Sequence, residues 1–487
     1  MSTAIASSLY SVNANTTSGE DSLIKELNFS SVLVESREHA FKSLQKVYDW
    51  TTQPNQAKGA RLPNSQEQYC PTTSNMILLA GLSGTGKSML VQDLFFNEIK
   101  MQAKAGKGAQ PNFVVGKGDE KSGSEPYSVI TDAFDDFAKG FVDSATPESV
   151  VEAEWLRTVI EEKLGADAIK LGNIVPALRP FLGTHDGIDT SNSDRGTDEN
   201  SWNRVRYVFQ AFVNAISTAK RPLVLFIDDL QWIDEASLKL IYSLLIDHDL
   251  KHFMFVGAYR ADEVHSGDVL WKTLERVQIV QDYETIRLSN LSKKELFEYV
   301  THVLQMKNKR SRKSSVSNVA GKEASAPEDI REELVSLLHK KTDGNLFFAT
   351  QCIKQLENRE ILSFSPLSFQ WEMNWSSVDQ SEFLTDDVMS MVQEKIKNCS
   401  DTLQAVLKTM AFTTSPTSIA MLKELLGDSD TRVSSSDLVE VLEDGSSQGL
   451  LVRKIGTPDY AFAHDKIQEA GKIEIMQQQL FLCFHRC

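Results

Sequence analysis

Residues 81–88 read GLSGTGKS, set between an apolar run, MILLA (76–80), and a stretch with helical spacing, MLVQDLFFNEIK (89–100). Gly81, Gly86, Lys87 and Ser88 satisfy the pattern G-x-x-x-x-G-K-[ST] at every fixed position, in the strand-then-helix setting that gives the pattern its meaning. Gly81, Gly84 and Gly86 let the backbone N–H groups of the loop, those of Leu82, Ser83 and Thr85 included, converge on phosphate oxygens. Lys87 can reach β and γ oxygens, Ser88 can ligate Mg2+, and the N-terminus of the following helix adds a favourable dipole. The loop therefore predicts bound ATP or ADP with Mg2+. It leaves open a small-molecule kinase, a machine on nucleic acid or a nucleotide-gated switch.

The second half of such a site is an acidic residue at the end of another buried strand. RPLVLFIDDLQW (221–232) is a continuous apolar run that ends in Asp228 and Asp229. A run of this kind is buried on both faces, so its carboxylates emerge at the C-terminal edge of the sheet, where ligands sit in open α/β folds. Asp228 is expected to hold Mg2+ through water and Asp229 to polarise the attacking water. The bland alternative is an acidic helix cap, since Asp234 also precedes a helix. HFMFVGAYR (252–260) is a further buried run, ending in Tyr259 and Arg260. Arg260 is expected to sense or stabilise γ-phosphate charge; the competing reading pairs it with Asp262 or Glu263 on the surface.

Working outward, MILLA, NFVVG (112–116), PLVLFI (222–227), HFMFVGA (252–258) and ETIRL (284–288) are short apolar runs separated by helix-length segments. This alternation predicts an α/β P-loop NTPase, a parallel sheet with helices on both faces. Ala40, Leu44 and Val47 place an amphipathic helix ahead of it. After residue 290 helical periodicity dominates, starting with LSKKELFEYVTHVLQM (291–306). Helices then lead into GLLVRKIGTPDYAFAHD (449–465), two strand-like runs around a Gly-Thr-Pro turn, which suggests a winged helix. The expected organisation is a disordered lead-in (1–28), a P-loop ATPase domain (29–290), a helical domain (291–380) with a disordered insert (307–327), a winged-helix domain (381–475) and a tail (476–487).

The chain has 487 residues, enough for roughly two to four domains, and its formal net charge is −16, which repels a polyanion at long range. The charge argues against nucleic acid as the main partner. Cys70, Cys352, Cys399, Cys483 and Cys487 are scattered without a C-x-x-C pair, so the cysteines suggest neither a disulfide framework nor a zinc site. No stretch reaches the ~18 apolar residues of a membrane span, and the first residues lack the charged-then-apolar pattern of a secretory signal. A cytoplasmic location is expected. The basic cluster KNKRSRK (307–313) admits a nuclear-import signal, an anion site or a solvated linker, and the serines beside it admit phosphorylation.

Together, GLSGTGKS, NFVVGKGDEKSGSEPYSVITDAF (112–134), LVLFIDDLQWIDEASLKLI (223–241) and FVGAYRADEV (255–264) resemble the AAA-like ATPase domain of the STAND class of signal-transduction NTPases. KTDGNLFFATQCIKQL (341–356) resembles that family's GNPFF helix start and YAFAHDKIQEA (460–470) its F-HD-x-[IV]-Q-x-A ending. The resemblance implies that residues 291–380 form a lid and that Arg37 lies near the adenine, although Ser36 stands where the family has Gly. Gly344 and Asn345 match the GNP motif, with Leu346 in place of Pro. His464 corresponds to the winged-helix histidine that contacts the β-phosphate of ADP. The implied function is a slowly hydrolysing regulatory ATPase, a conformational switch acting on protein partners or fused effector modules, with ATP-dependent homo-oligomerisation. The alternative is an origin-recognition-like AAA ATPase that binds DNA through its winged helix. Lys466 and Lys472 stand there against Asp465, Glu469 and Glu474, a poor phosphate-facing surface. The match fades over GKIEIMQQQLFLCFHRC (471–487), as in a short family member or a truncated chain.

Overall fold

A computed structural model describes residues 27, 29, 35–52, 75–119, 126–142, 147–182, 199–280, 282–305, 330–365, 370–374, 388–413, 417–427, 435–453, 459–463 and 467–472. The expected insert and tail, and the lead-in apart from Leu27, lie outside the described residues.

Each of the apolar runs becomes a strand: β1 (Met76–Gly81), β2 (Asn112–Lys117), β3 (Leu223–Asp228), β4 (Phe253–Arg260) and β5 (Glu284–Leu288). They form one parallel sheet in the order β2-β3-β4-β1-β5. The central runs of β1, β3 and β4 are apolar because successive side chains alternate between two cores, whereas the edge strand β5 leaves Glu284, Thr285 and Arg287 exposed. Ile77, Leu79, Val224, Phe226, Met254 and Val256 turn to one face. There they meet Ala40 and Leu44 of α1 (Glu35–Thr52) and Phe95 of α2, which runs from Lys87–Met89 through a π-helical Leu90–Phe96 into Asn97–Lys104. Met76, Leu78, Leu223, Leu225, Ile227, Phe253 and Phe255 turn to the opposite face. That face is covered by α3 (Ser128–Val142), α4 (Pro147–Leu164), α5 (Ala168–Ile174), α6 (Glu199–Ile216), α7 (Glu235–Leu245) and α8 (Val269–Val280). Removing a fully buried ring such as that of Phe226 from such a core costs about 3–5 kcal/mol.

Register decides what the sheet presents at its carboxyl edge. Lys117 pairs with Asp228, and Gly81 with Arg260, so the last residues of four strands converge there. This is the edge at which open parallel sheets bind ligands.

A second core joins α9 (Lys293–Val303), α10 (Ile330–Thr342), α11 (Leu346–Asn358) and the antiparallel pair β6 (Leu362–Ser365) and β7 (Gln370–Met373) through Leu296, Val300, Leu334, Leu338, Ile353 and Trp371. A capping box of Ser292 and Glu295 opens α9. Asn345 caps α11. A third core joins α12 (Val388–Lys397), α13 (Asp401–Phe412), α14 (Ile419–Gly427) and α15 (Ser435–Ser447) to β8 (Leu451–Arg453) and β9 (Tyr460–Phe462). The two short runs expected to be strand-like pair as this second antiparallel hairpin. Among the described residues no helix is long and apolar enough to cross a membrane.

Candidate active site

The loop after β1 folds as its glycines allow. Gly84 and Gly86 sit in the left-handed region, with φ 80° and 89°, which L side chains rarely adopt. The Thr85 hydroxyl closes the turn by donating to the Leu82 carbonyl at 2.9 Å. Lys87 is buried and folds back over the loop, its Nζ donating to the carbonyls of Gly81 at 2.9 Å and Leu82 at 3.0 Å. Burial holds its ammonium below the usual lysine range, against the pull of Asp228 and Asp229. Two neutral carbonyls are the partners of a buried cation here, and the space beside it is open to an anion.

Ser88 at the start of α2 donates to the Asp228 carboxylate at the end of β3. Burial, and then the neighbouring charge of Asp229, pushes the Asp228 carboxyl up to about 6, opposed by Lys117, Ser88 and Lys87. A hydroxyl and a buried carboxylate in contact form an oxygen donor pair suited to a hard divalent cation. Asp229 follows at φ 50°, a left-handed turn that ends the strand. Arg260 Nε donates to Asp229 Oδ1 at 3.2 Å and Gln231 Nε2 to the same atom at 3.1 Å, while Lys117 Nζ lies 3.5 Å from Oδ2.

Arg260 is buried rather than superficial. Besides Asp229 it holds Glu263 at 2.8 Å, and its guanidinium lies 4.3 Å from the centre of the Trp232 ring. Of the two acidic partners weighed from sequence, Asp262 and Glu263, it is Glu263 that Arg260 holds. Asp234 is the helix cap, accepting from Ser237 N at 2.7 Å and from Tyr127 N at 2.9 Å. Arg37 is 1% exposed and braces the loop from below, with Nη2 donating to Thr85 O at 2.9 Å and Ser289 O at 2.7 Å.

Ser83, Gly84, Gly86, Lys87, Ser88, Arg37, Asp228, Asp229 and Arg260 all line one cleft of about 300 Å³. Gly81 and Thr85 support it from within the loop, and Leu82 points outward, 47% exposed. His464 lies outside the described residues, while Ala463 lines the cleft. Sequence reasoning missed several residues. Lys117 had a legible signal, since it closes a predicted strand at the same edge. Gln231 and Trp232 had none beyond their place after the paired aspartates. The far wall comes from Leu291, just before α9, from Tyr299 of α9 and from Leu346, Phe347 and Thr350 of α11. The start of α11 touches the loop itself, with Asn345 Nδ2 donating to Ser83 O at 2.9 Å and Phe347 N to Gly84 O at 3.1 Å.

A parallel sheet with helices on both faces, a glycine-shaped phosphate loop and an acidic strand end define a P-loop ATPase fold. Residues 60–256 match the family model of the AAA ATPase domain. The hybrid signal transduction histidine kinase G of Dictyostelium discoideum is 22% identical over 394 residues, covering 68% of this chain and 10% of that protein. The chain thus spans about a tenth of the length of that relative. Among solved structures, a STAND protein of Pyrococcus horikoshii with a tetratricopeptide repeat sensor is 13% identical, over 84% of this chain and 43% of that chain, with a TM-score of 0.37. The Aeropyrum pernix ORC2 protein, in ADPNP-ADP complexes, is 13% identical over 95% and 98% of the two chains, with a TM-score of 0.36. The Walker-type ATPase of Pyrococcus abyssi is 10% identical over 92% and 98%, with a TM-score of 0.35.

Proposed function

We propose that the chain binds ATP, hydrolyses it slowly and works as a nucleotide-dependent conformational switch in signalling. The observation that carries this reading is the contact of α11 with the phosphate loop through Asn345 and Phe347. A phosphate site whose loop carbonyls are held by another structural unit reports its occupancy to that unit. In this reading residues 291–380 are a lid, residues 381–475 a winged helix, and residues 29–290 the ATPase domain.

Lys87 and the loop N–H groups would hold the β- and γ-phosphates, and Arg37 keeps the loop in shape. Ser88 and Asp228 would hold Mg2+, which when bound neutralises phosphate charge. Asp229 would orient the attacking water, and Arg260 would stabilise γ-phosphate charge. The Asp229 carboxylate is already engaged by Arg260, Gln231 and Lys117. Oδ1 takes two of these contacts and Oδ2 one, so Oδ2 keeps a lone pair for a water. His464, next to the cleft-lining Ala463, is the candidate contact from the third unit to the β-phosphate of ADP. Fused effector modules or separate protein partners would receive the signal, in keeping with the signal transduction histidine kinase relative, and ATP would promote homo-oligomerisation.

The test is nucleotide analysis of the purified chain, followed by limited proteolysis with ATP and with ADP. Retained ADP and two distinct cleavage patterns are expected. Identical patterns with both nucleotides would sink the switch. DNA-stimulated turnover would favour an origin-recognition-like role instead.

A further inference from the structure

Lys117 sits between two glycines that lie close against β3. A side-chain carbon built on Gly116 would come within 2.8 Å of Ile227 Cδ1, and one on Gly118 within 2.3 Å of the Asp229 carbonyl oxygen. Gly118 N also donates to Asp228 O at 2.9 Å. With Lys117 paired to Asp228 in register, the root of its side chain is fixed beside the paired aspartates. The tip is less confined: the side chain is 44% exposed, and the residue lines the cleft.

The Lys117 ammonium faces one oxygen of Asp229. Oδ1 takes Arg260 Nε at 3.2 Å and Gln231 Nε2 at 3.1 Å, and Lys117 Nζ lies 3.5 Å from Oδ2. These three partners differ in how far they can move. Arg260, its side chain 10% exposed, is held by Glu263 at 2.8 Å and by the Trp232 ring. Gln231 is held by Glu263 at 3.1 Å and by Arg260 N at 3.1 Å. Lys117 stands on a flexible, half-exposed stem, at an ion-pair distance longer than a hydrogen bond. An ammonium carries three protons, so it can serve Oδ2 and a second anion together. Its charge also acts on Asp228, ahead of Ser88 and Lys87.

In the ATPase reading the β-phosphate stays with Lys87 and the loop, and the γ-phosphate extends toward Arg260 and Asp229. Arg260 and Lys117 flank that carboxylate from its two oxygens, so a phosphoryl group that reaches the first arrives within reach of the second. We propose that the Lys117 ammonium bridges Asp229 Oδ2 and the γ-phosphate of ATP, and loses that second contact when ADP is bound. The assignment rests on the ATPase reading and makes Lys117 a residue that tells triphosphate from diphosphate. It also ties the carboxylate assigned to the attacking water to the presence of a γ-phosphate.

The experiment measures equilibrium binding of ADP and of the imido analogue of ATP, in which N–H replaces the β,γ-bridging oxygen and hydrolysis is blocked. Both are titrated with Mg2+ into the nucleotide-free full chain and into Lys117→Met, Lys117→Gln and Lys117→Arg. Lys117→Met and Lys117→Gln remove the charge. Each should bind the imido analogue about tenfold more weakly, the lower end for a charge-assisted hydrogen bond because the ammonium is half exposed. ADP should bind them as it binds the full chain, so the ratio of the two affinities falls by the same factor. Lys117→Arg keeps a cation at this edge and should restore most of the ratio. Thermal melts without nucleotide establish that the variants fold. An unchanged ratio in the folded neutral variants, whether both affinities hold or both fall together, would make the Lys117–Asp229 contact a surface ion pair only. That result overturns the assignment and leaves the ATPase reading standing. A full chain that binds neither nucleotide would overturn both.

Discussion

Asn345 and Ser83, 262 residues apart, are joined by a hydrogen bond of 2.9 Å from the Asn345 side-chain amide to the Ser83 carbonyl. The same side chain accepts from Phe348 N at 3.3 Å and so starts α11. One residue thus does two jobs: it caps a helix of the second core and fixes a peptide of the phosphate loop. Holding the Ser83 carbonyl away from the cleft commits the peptide N–H groups around it to face inward, as anion binding requires.

The two jobs separate in Asn345→Ser. Serine is as good a cap as asparagine, but it is too short to reach Ser83. Stability of the free protein should change by less than about 1 kcal/mol, whereas Asn345→Ala should lose about 1 kcal/mol for the cap. Both variants should weaken ATP binding and blunt the difference between the ATP and ADP proteolysis patterns. Wild-type nucleotide response in Asn345→Ser would show that the Ser83 bond carries no coupling.

Lys87 and Asp229 should fail in different ways. Lys87→Ala removes the buried ammonium, and with it charge-assisted hydrogen bonds worth about 1.5–3 kcal/mol each; nucleotide affinity should drop by roughly tenfold to a hundredfold. Asp229→Asn keeps shape and one acceptor oxygen, so binding should be largely spared while turnover slows by about 10²-fold or more. Titration calorimetry and single-turnover hydrolysis tell the two apart. Equal hydrolysis by the chain and by Asp229→Asn would remove Asp229 from the chemistry.

Gly344 tests the joint between the sheet and α11. Its φ is 74°, and a side chain there would come within 2.0 Å of the Leu291 carbonyl, which is backbone and cannot swing away. Gly106 has a similar φ of 68° but open space around it. Gly106→Ala should therefore lose about 1–2 kcal/mol from backbone strain alone. Gly344→Ala should lose clearly more, read as a larger fall in midpoint by urea melts. Equal losses would mean that α11 can shift to admit the methyl group.

The parts that were legible in the sequence share a physical reason. MILLA, PLVLFI and FMFVGA are apolar at every position because both faces of β1, β3 and β4 are buried, and Lys87, Asp228 and Arg260 follow those runs within seven residues. The path from strand to site is a few residues long, so local pattern suffices. Asn345 was visible as a motif, but its grip on Ser83 depends on how two cores pack, which no local spacing encodes. Tyr299 and Thr350 were invisible for the same reason: each reads as an ordinary position on an amphipathic helix until α9 and α11 bring their hydroxyls together. The π-helical turn at Leu90–Phe96 also escaped, since its residues keep an ordinary helical pattern of apolar side chains.

A last prediction concerns the seam between α11 and the third core. Lys395 of α12 donates to Gln351 Oε1 at 3.1 Å and to Gln448 O at 2.6 Å. Burial, reinforced by Lys354 and opposed by Cys399, pulls its ammonium down to about 8. In the unfolded chain the same group titrates at the ordinary lysine value of 10.5. Below pH 8 both states carry the proton, and the folded state bears the full penalty of a poorly solvated charge. Between about 8 and 10.5 the folded state sheds its proton while the unfolded state keeps it, so stability from this group rises with pH. Lys395→Met keeps the length and removes the titration. Urea melts from pH 7.5 to 10 should show the full chain gaining stability relative to Lys395→Met as pH rises. Parallel curves for the two proteins would mean that the ammonium is solvated in the folded state and the seam between α11 and α12 is open to water.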